Sequence, residues 1–195
     1  MPKYPRTFLP FAIAVCTGVL ALSAARADSP DQRAAYDRIK SLAGTWTGHM
    51  EDPLAGAPVT VRYEIASAGH AVVEFQESGQ GFESVTVYYL ADGKLHATLY
   101  SAAGNQPAYR LGKDSTADLL WLEFDGGTGV NPAQDGHVHQ GEIRFISPDR
   151  IEQRWFHYVG PKEQGVTHWF LDREISKPAM PSEPAAPETP PAPTA

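Results

Sequence analysis

The sequence predicts an all-β protein: a single up-and-down antiparallel barrel of about nine or ten strands, preceded by a short N-terminal helix. Two observations support this class. Apolar and polar residues alternate in many short segments, as in Val59-Thr-Val-Arg-Tyr-Glu-Ile65. Turn residues separate these segments at hairpin spacing, and helical spacing is confined to the part before residue 44. A two-sheet β-sandwich is the alternative, because periodicity does not distinguish it from a closed barrel.

The helix is predicted from its start signal and its apolar face. Ser29-Pro30-Asp31 combines a capping hydroxyl with a proline in the first turn. Ala35, Ile39 and Leu42 follow at helical spacing. Gly44 is expected to end the helix by adopting a left-handed conformation.

The strands are predicted from alternation of period two and from the turns between them. Ala91-Asp-Gly-Lys94 is a strong hairpin signal, and residues 125–135 are expected to form a polar loop. The predicted strands are 45–51, 59–65, 70–77, 82–90, 95–100, 109–111, 119–124, 139–146, 150–159 and 166–175.

The two ends are expected to lie outside the folded domain, which spans residues 28–176. Lys3 and Arg6 precede an uncharged run, and Ala25-Arg-Ala27 follows it, which is typical of a signal peptide over residues 1–27. We therefore expect a secreted, periplasmic protein with no stable membrane insertion after cleavage; an uncleaved anchor is the alternative. Residues 177–195 contain seven of the 17 prolines and are predicted to be a disordered Pro/Ala-rich tail.

Composition excludes several function classes. Cys16 is the only cysteine and would be lost with the signal peptide, so the remaining chain has no disulfide and no thiol nucleophile. Loss of Lys3, Arg6 and Arg26 leaves 13 Lys and Arg against 23 Asp and Glu, a net charge of −10. An acidic chain without a basic cluster is not expected to bind nucleic acid.

Several motifs resemble those of a known protein family. They are Gly44-Thr-Trp46 and the segments 86–94, 103–107, 124–128 and 131–139. Together they look like a family of secreted bacterial proteins without an assigned activity, which is regarded as having a lipocalin-like (calycin or nitrobindin-like) barrel. The similarity covers most of residues 42–173. A more distant resemblance to nitrobindins implies haem, although their opening motif repeats a glycine where this chain has Met50.

His137 and His139 are the residues that most suggest chemistry. Histidines at i and i+2 on a strand project from one face, so both imidazoles can meet one metal ion or one polar ligand, with Asp135 orienting one of them. The alternative is that they are barrel-rim histidines bonded to loops. We expect no cofactor, with haem or a metal at His137 and His139 as the alternative.

Two further groups are candidate ligand-binding residues. Asn105 and Gln106 offer amide donors and acceptors in a loop, although loop-stabilising roles explain them equally well. Trp155 and His157 share one strand face with Gln153, which would give the barrel an aromatic wall with polar groups. We expect Asn105 and Gln106 to share one pocket with His137 and His139, with Trp155 and His157 as its adjacent wall.

Two residues are expected to have a structural role at the closed end. Trp46 lies at the start of the first strand, and Arg173 lies on the last. In lipocalin-like barrels an arginine of the last strand often covers this tryptophan, and the spacing here resembles that arrangement.

The function expected from the sequence is binding of a small, mainly apolar molecule. The sequence contains no nucleophile elbow, zinc-protease motif or phosphate loop, and no motif distinguishes Glu74, Glu83 or Glu123 as catalytic acids. The alternatives are a barrel enzyme with His137, His139 or His157 as acid and base, and a non-catalytic structural or interaction module of the cell envelope.

Overall fold

A computed structural model of the chain describes residues 31–79, 81 and 83–175. Within them it contains one α-helix and ten strands, which close into an antiparallel barrel. The predicted signal peptide and tail lie outside the described residues. The elements are α1 (Gln32–Lys40), β1 (Gly44–Asp52), β2 (Pro58–Ala66), β3 (Ala71–Ser78), β4 (Glu83–Ala91), β5 (Lys94–Tyr100), β6 (Gln106–Leu111), β7 (Leu119–Thr128), β8 (Gly136–Ser147), β9 (Arg150–Val159) and β10 (Lys162–Arg173).

Each strand pairs with its neighbour in sequence, and β1 pairs with β10 to close the barrel. The fold class expected from the alternation is therefore confirmed, and the β-sandwich alternative is wrong. Closure leaves no strand edge exposed. Alternate side chains of every strand point inward and form one core.

The helix lies at one end of the barrel and closes it. Asp31 caps the helix with its carboxylate on the Ala34 amide at 2.7 Å. The Tyr36 hydroxyl donates to the carbonyl of Gly69, between β2 and β3, at 3.0 Å. The Leu95 amide of β5 donates to Gln32 Oε1 at 2.8 Å. These bonds fix the helix over the turns at this end.

Several element boundaries differ from the sequence predictions, and β6 and β10 begin three and four residues earlier than expected, at Gln106 and Lys162. The helix ends at Lys40 with Ser41 as its C-cap, so Gly44 begins β1 instead of ending the helix. Strand β7 extends to Thr128 through glycines that resemble a loop in sequence. Gly127 has φ +144°, and a Cβ there would lie 2.4 Å from the Gln106 carbonyl oxygen, so only glycine fits this pairing. Strand β8 begins at Gly136, which places both histidines on a strand.

Candidate functional site

A cavity of about 560 Å³ opens at the end of the barrel opposite the helix. This end carries the β1–β2, β3–β4 and β5–β6 connections, because successive strands alternate in direction. The residues that line the cavity and that matter below are Met50, Val59, Gln76, Ser84, Leu99, Val138, Trp155, His157, Thr167 and Trp169. The lining is mostly apolar and contains two indole rings.

The position of Trp155 depends on a glycine in the next strand. Gly141 of β8 is the direct partner of Trp155, and a Cβ at Gly141 would lie 2.5 Å from Trp155 Cζ3. The benzo edge of the indole therefore lies directly on the Gly141 backbone. The opposite edge carries Nε1, which is buried and has no hydrogen-bond partner among the described residues. Trp155 combines a fixed apolar surface with an unused donor.

Below the cavity, Glu74 forms the centre of a buried polar network. Glu74 is 0 % exposed, and its carboxylate accepts four hydrogen bonds. The donors are Tyr63 Oη (3.1 Å), Gln76 Nε2 (2.8 Å), Gln153 Nε2 (2.8 Å) and Tyr88 Oη (2.5 Å). Three of these bonds end on Oε1 and one on Oε2, so both carboxylate oxygens are hydrogen-bonded.

The buried environment alters the acidity of the network. Burial raises the pKa of Glu74, and the four hydrogen bonds oppose that rise. Burial also raises the pKa values of Tyr63 and Tyr88 well above the ordinary value, with the Glu74 charge as the next cause. Both phenols therefore remain donors at neutral pH.

Two contacts connect this network to the cavity. Gln76 and Ser84 are direct cross-strand partners, and Ser84 Oγ lies 3.0 Å from Gln76 Oε1. Trp169 Nε1 donates to Gln153 Oε1 at 2.7 Å. Gln76, Ser84 and Trp169 line the cavity, so the buried carboxylate is separated from it by a single layer of side chains.

His157 is the only predicted histidine whose side chain lines the cavity. Its Nε2 lies 2.6 Å from Thr167 Oγ1 on the neighbouring strand β10. Burial lowers the pKa of His157, so its neutral form is favoured. It presents a neutral polar group beside Trp155.

The other two histidines lie outside the cavity. On β9, alternation places Trp155 and His157 inward and Tyr158 on the outer face. Tyr158 is the direct partner of His137, and its ring lies 4.5 Å from that of His139. Phe124 completes the cluster at 5.0 Å from each imidazole. Neither His137 nor His139 lines the cavity, whereas Trp155 and His157 do, so the ligand-binding role of the first two stays a prediction from sequence.

Hydrogen bonds fix the tautomers of the histidine pair. His137 Nδ1 lies 3.0 Å from the Asp135 carbonyl oxygen, which only accepts, so Nδ1 carries the proton. His137 Nε2 lies 3.0 Å from His139 Nδ1, which must therefore donate when both rings are neutral. His139 Nε2 retains a lone pair. Burial, followed by the charge of His137, lowers the pKa of His139.

The amide pair lies at the same end of the barrel as the histidines, as the alternation of strand direction predicts. Asn105 Nδ2 donates to the Gly136 carbonyl, adjacent to His137, at 2.8 Å. Gln106 Nε2 donates to the Gly104 carbonyl at 3.2 Å. The Asn105 bond joins the β5–β6 connection to the start of β8, and the Gln106 bond joins the start of β6 to that same connection. Neither Asn105 nor Gln106 lines the cavity. Their ligand-binding role stays a prediction from sequence.

A metal ion or haem at His137 and His139 stays an alternative suggested by the sequence. Among the described residues, no group of three His, Cys, Asp or Glu side chains is arranged to hold a metal ion. The described residues that line the cavity include no Lys or Arg to pair with haem propionates. The one imidazole at the cavity uses its Nε2 for Thr167.

Sequence analysis did not identify Glu74 and Gln76 as part of the site. The signal was present, because Glu74 and Gln76 alternate with outward residues on the same face as Val72, which is buried. Two polar residues at inward positions of a barrel strand indicate a buried polar network. Glu74, Glu83 and Glu123 do not converge, because Glu123 pairs with Arg110 on the outer surface.

Fold and site together define a class: a closed ten-stranded up-and-down barrel with an internal cavity open at one end. No protein-family model matches the chain, and no curated protein matches it. Among solved structures, the chain is similar to a protein of unknown function from the DUF3598 family of Nostoc punctiforme, with a TM-score of 0.49 and 14% identity. The match covers 70% of this chain and 49% of that one, so this chain spans about half its length. Within the described residues, no helix has the length and hydrophobicity needed to cross a membrane.

Proposed function

We propose that this chain is a secreted, periplasmic, lipocalin-like binding protein that takes a small, mainly apolar molecule into its barrel. The observation that carries the proposal is the cavity of about 560 Å³, lined by Trp155, Trp169 and aliphatic side chains and open at one end. Cavities that bind small molecules have this size and this mixture of apolar walls with few polar groups.

The alternatives have less support. A purely structural module would pack its lumen with side chains, and this barrel keeps an open space instead. For an enzyme, His137 and His139 would need to meet the substrate, but they bond to each other outside the cavity. His157 stands alone at the cavity as a candidate acid or base, without a second predicted histidine beside it.

The proposal is tested with a neutral apolar fluorescent probe, N-phenyl-1-naphthylamine, added to the purified secreted form of the chain. We expect saturable fluorescence enhancement that Val59→Phe weakens, because Val59 lines the cavity and a ring there occupies its space. Ile65→Phe is the matched control on the same strand, since Ile65 is 50% exposed on the surface. Native mass spectrometry of protein taken from its own periplasm identifies what it carries. Absence of saturable uptake by the folded protein would refute the proposal.

A further inference from the structure

The polar end of the cavity is a chain of hydrogen bonds whose direction is set by Glu74. Carboxylate oxygens only accept, so Gln76 must present its Nε2 to Glu74 and its Oε1 to Ser84. Ser84 Oγ then donates its single proton to Gln76. The Ser84 hydroxyl therefore has only lone pairs left for a ligand. The cavity presents a hydrogen-bond acceptor at this point, and the buried carboxylate polarises it.

The charges around the cavity have one sign. Its described lining residues include no Lys or Arg, but include Asp52, Glu77 and Glu83 at the rim. Glu77 and Glu83 are direct cross-strand partners, and like charges in that arrangement repel each other. No ion pair with a described residue neutralises any of the three. An entering cation relieves this repulsion, and an entering anion adds to it.

The aromatic walls of the cavity also favour a positively charged ligand. The two indoles of the lining, Trp155 and Trp169, offer faces that attract cations electrostatically. Trp169 is held by its bond to Gln153, and Trp155 is held against Gly141. Both rings are therefore fixed before a ligand arrives.

We propose that the ligand is a cationic amphiphile, an apolar body with a protonated amine, and that its N–H groups donate to Ser84 Oγ while its body packs on Trp155 and Trp169. This inference rests on the proposed binding function and names the ligand class of the same cavity. It ranks fatty acids and other carboxylates below amines, because the described lining offers them only uncharged donors, such as Trp155 Nε1, and places Glu74 behind the docking point.

The test is isothermal titration calorimetry of the folded chain at pH 7 with three probes of equal length: decylammonium, decanol and decanoate. We expect decylammonium to bind about tenfold more tightly than decanol, as hydrogen bonds to charged groups warrant, and decanoate to bind most weakly. Ser84→Ala should reduce the preference for decylammonium over decanol. Ser101→Ala is the control, because Ser101 lies at the rim and bonds to its own turn at Ala103.

The outcomes separate this inference from the proposed function. Decanoate binding as tightly as decylammonium would overturn the ligand class and leave the binding function standing. The same holds if none of the three probes binds while N-phenyl-1-naphthylamine does. An unchanged preference in Ser84→Ala would overturn docking on Ser84. Failure of all four probes would refute the binding function itself.

Discussion

The guanidinium of Arg173 covers the indole of Trp46, with its carbon 4.2 Å from the ring centroid. The two residues are direct partners across β1 and β10, the strand pair that closes the barrel. Arg173 also donates to the carbonyls of Ala43 and Ser41, each at 2.9 Å. Trp46 is 0% exposed and donates to the Leu42 carbonyl at 2.7 Å. One cation thus holds the last strand, the first strand and the end of the helix together.

Replacing Arg173 by Lys should lower the free energy of unfolding by about 1–3 kcal/mol. An ammonium cannot lie flat on the indole and donate to two carbonyls at once, because those contacts need the planar guanidinium fork. Urea unfolding followed by tryptophan fluorescence measures the change.

Arg150→Ala provides the control for that measurement. Arg150 bonds Asp172 on the exposed surface at 3.0 Å, and exposed ion pairs contribute about 0–1 kcal/mol. A loss in Arg173→Lys no greater than in Arg150→Ala would show that the contact with Trp46 does not stabilise the barrel.

The barrel was predictable because its determinants are local. Alternation along each strand and a turn signal between strands are read from neighbouring residues, as in Ala91-Asp-Gly-Lys94. The contact between Arg173 and Trp46 was also expected, from a resemblance to related barrels. The end of β7 was missed because Gly126 and Gly127 resemble a loop until their pairing with β6 is known.

The site was less predictable because it depends on strand irregularities and on contacts between residues far apart in the sequence. His137 and His139 were expected at the ligand, yet His139 lies within a register shift between Val138 and Gln140, and neither histidine lines the cavity. Glu74 has no sequence neighbour that marks it as functional. Its partner Gln153 lies 79 positions away along the chain, and only barrel closure brings the two together.

Replacing Glu74 by Gln should destabilise the protein by about 1–3 kcal/mol near neutral pH. The new amide would direct a donor toward neighbours that already donate, such as Tyr88. Glu123→Gln is the control, since Glu123 lies on the surface beside Arg110 and its loss should cost less than about 1 kcal/mol. Equal effects of the two substitutions would contradict the buried network.

The stability of the wild-type protein relative to Glu74→Gln should depend on pH. Burial raises the pKa of Glu74, so the folded state binds the proton more tightly than the unfolded state. The resulting stabilisation is complete below the ordinary glutamate value, about 4.3, and is lost as pH rises through the raised pKa. The stability difference between the two proteins should therefore grow on acidification. A constant difference between pH 4 and pH 8 would refute the shift.

Replacing both His137 and His139 by Ala should reduce stability and leave cavity binding unchanged. The sequence alone suggested the reverse, but the two rings pack on Phe124 and Tyr158 outside the cavity. Probe affinity and unfolding free energy of the double variant decide between the two expectations. If the double variant is as stable as the wild type but binds the probe more weakly, the two histidines contact the ligand as the sequence suggested.

The histidine pair should also make stability fall with acid. The pKa of His139 is lowered in the folded state, so its contribution is complete above the ordinary histidine value, about 6.5, and declines as pH falls through the lowered pKa. His139→Gln should flatten this decline. His70→Gln is the control because His70 is exposed. If both substitutions reduce the pH dependence of the unfolding free energy equally, that dependence does not come from His139.

Gly141→Ala should weaken probe binding and lower stability, because it displaces Trp155. An added Cβ would lie 2.5 Å from Cζ3 and 2.7 Å from Cε3 of the indole, so the ring must move off β8 and into the cavity. Overpacking of this kind costs about 1–3 kcal/mol. Gly136→Ala is the matched control on the same strand, since the nearest atom to its Cβ, Val159 Cγ2, is 3.7 Å away. Calorimetric titration and urea unfolding of the two variants give both quantities. Both substitutions add one methyl group to β8. A loss of probe binding confined to Gly141→Ala would therefore follow from the displaced indole alone. Equal probe binding by the two variants would show that Trp155 does not shape the cavity.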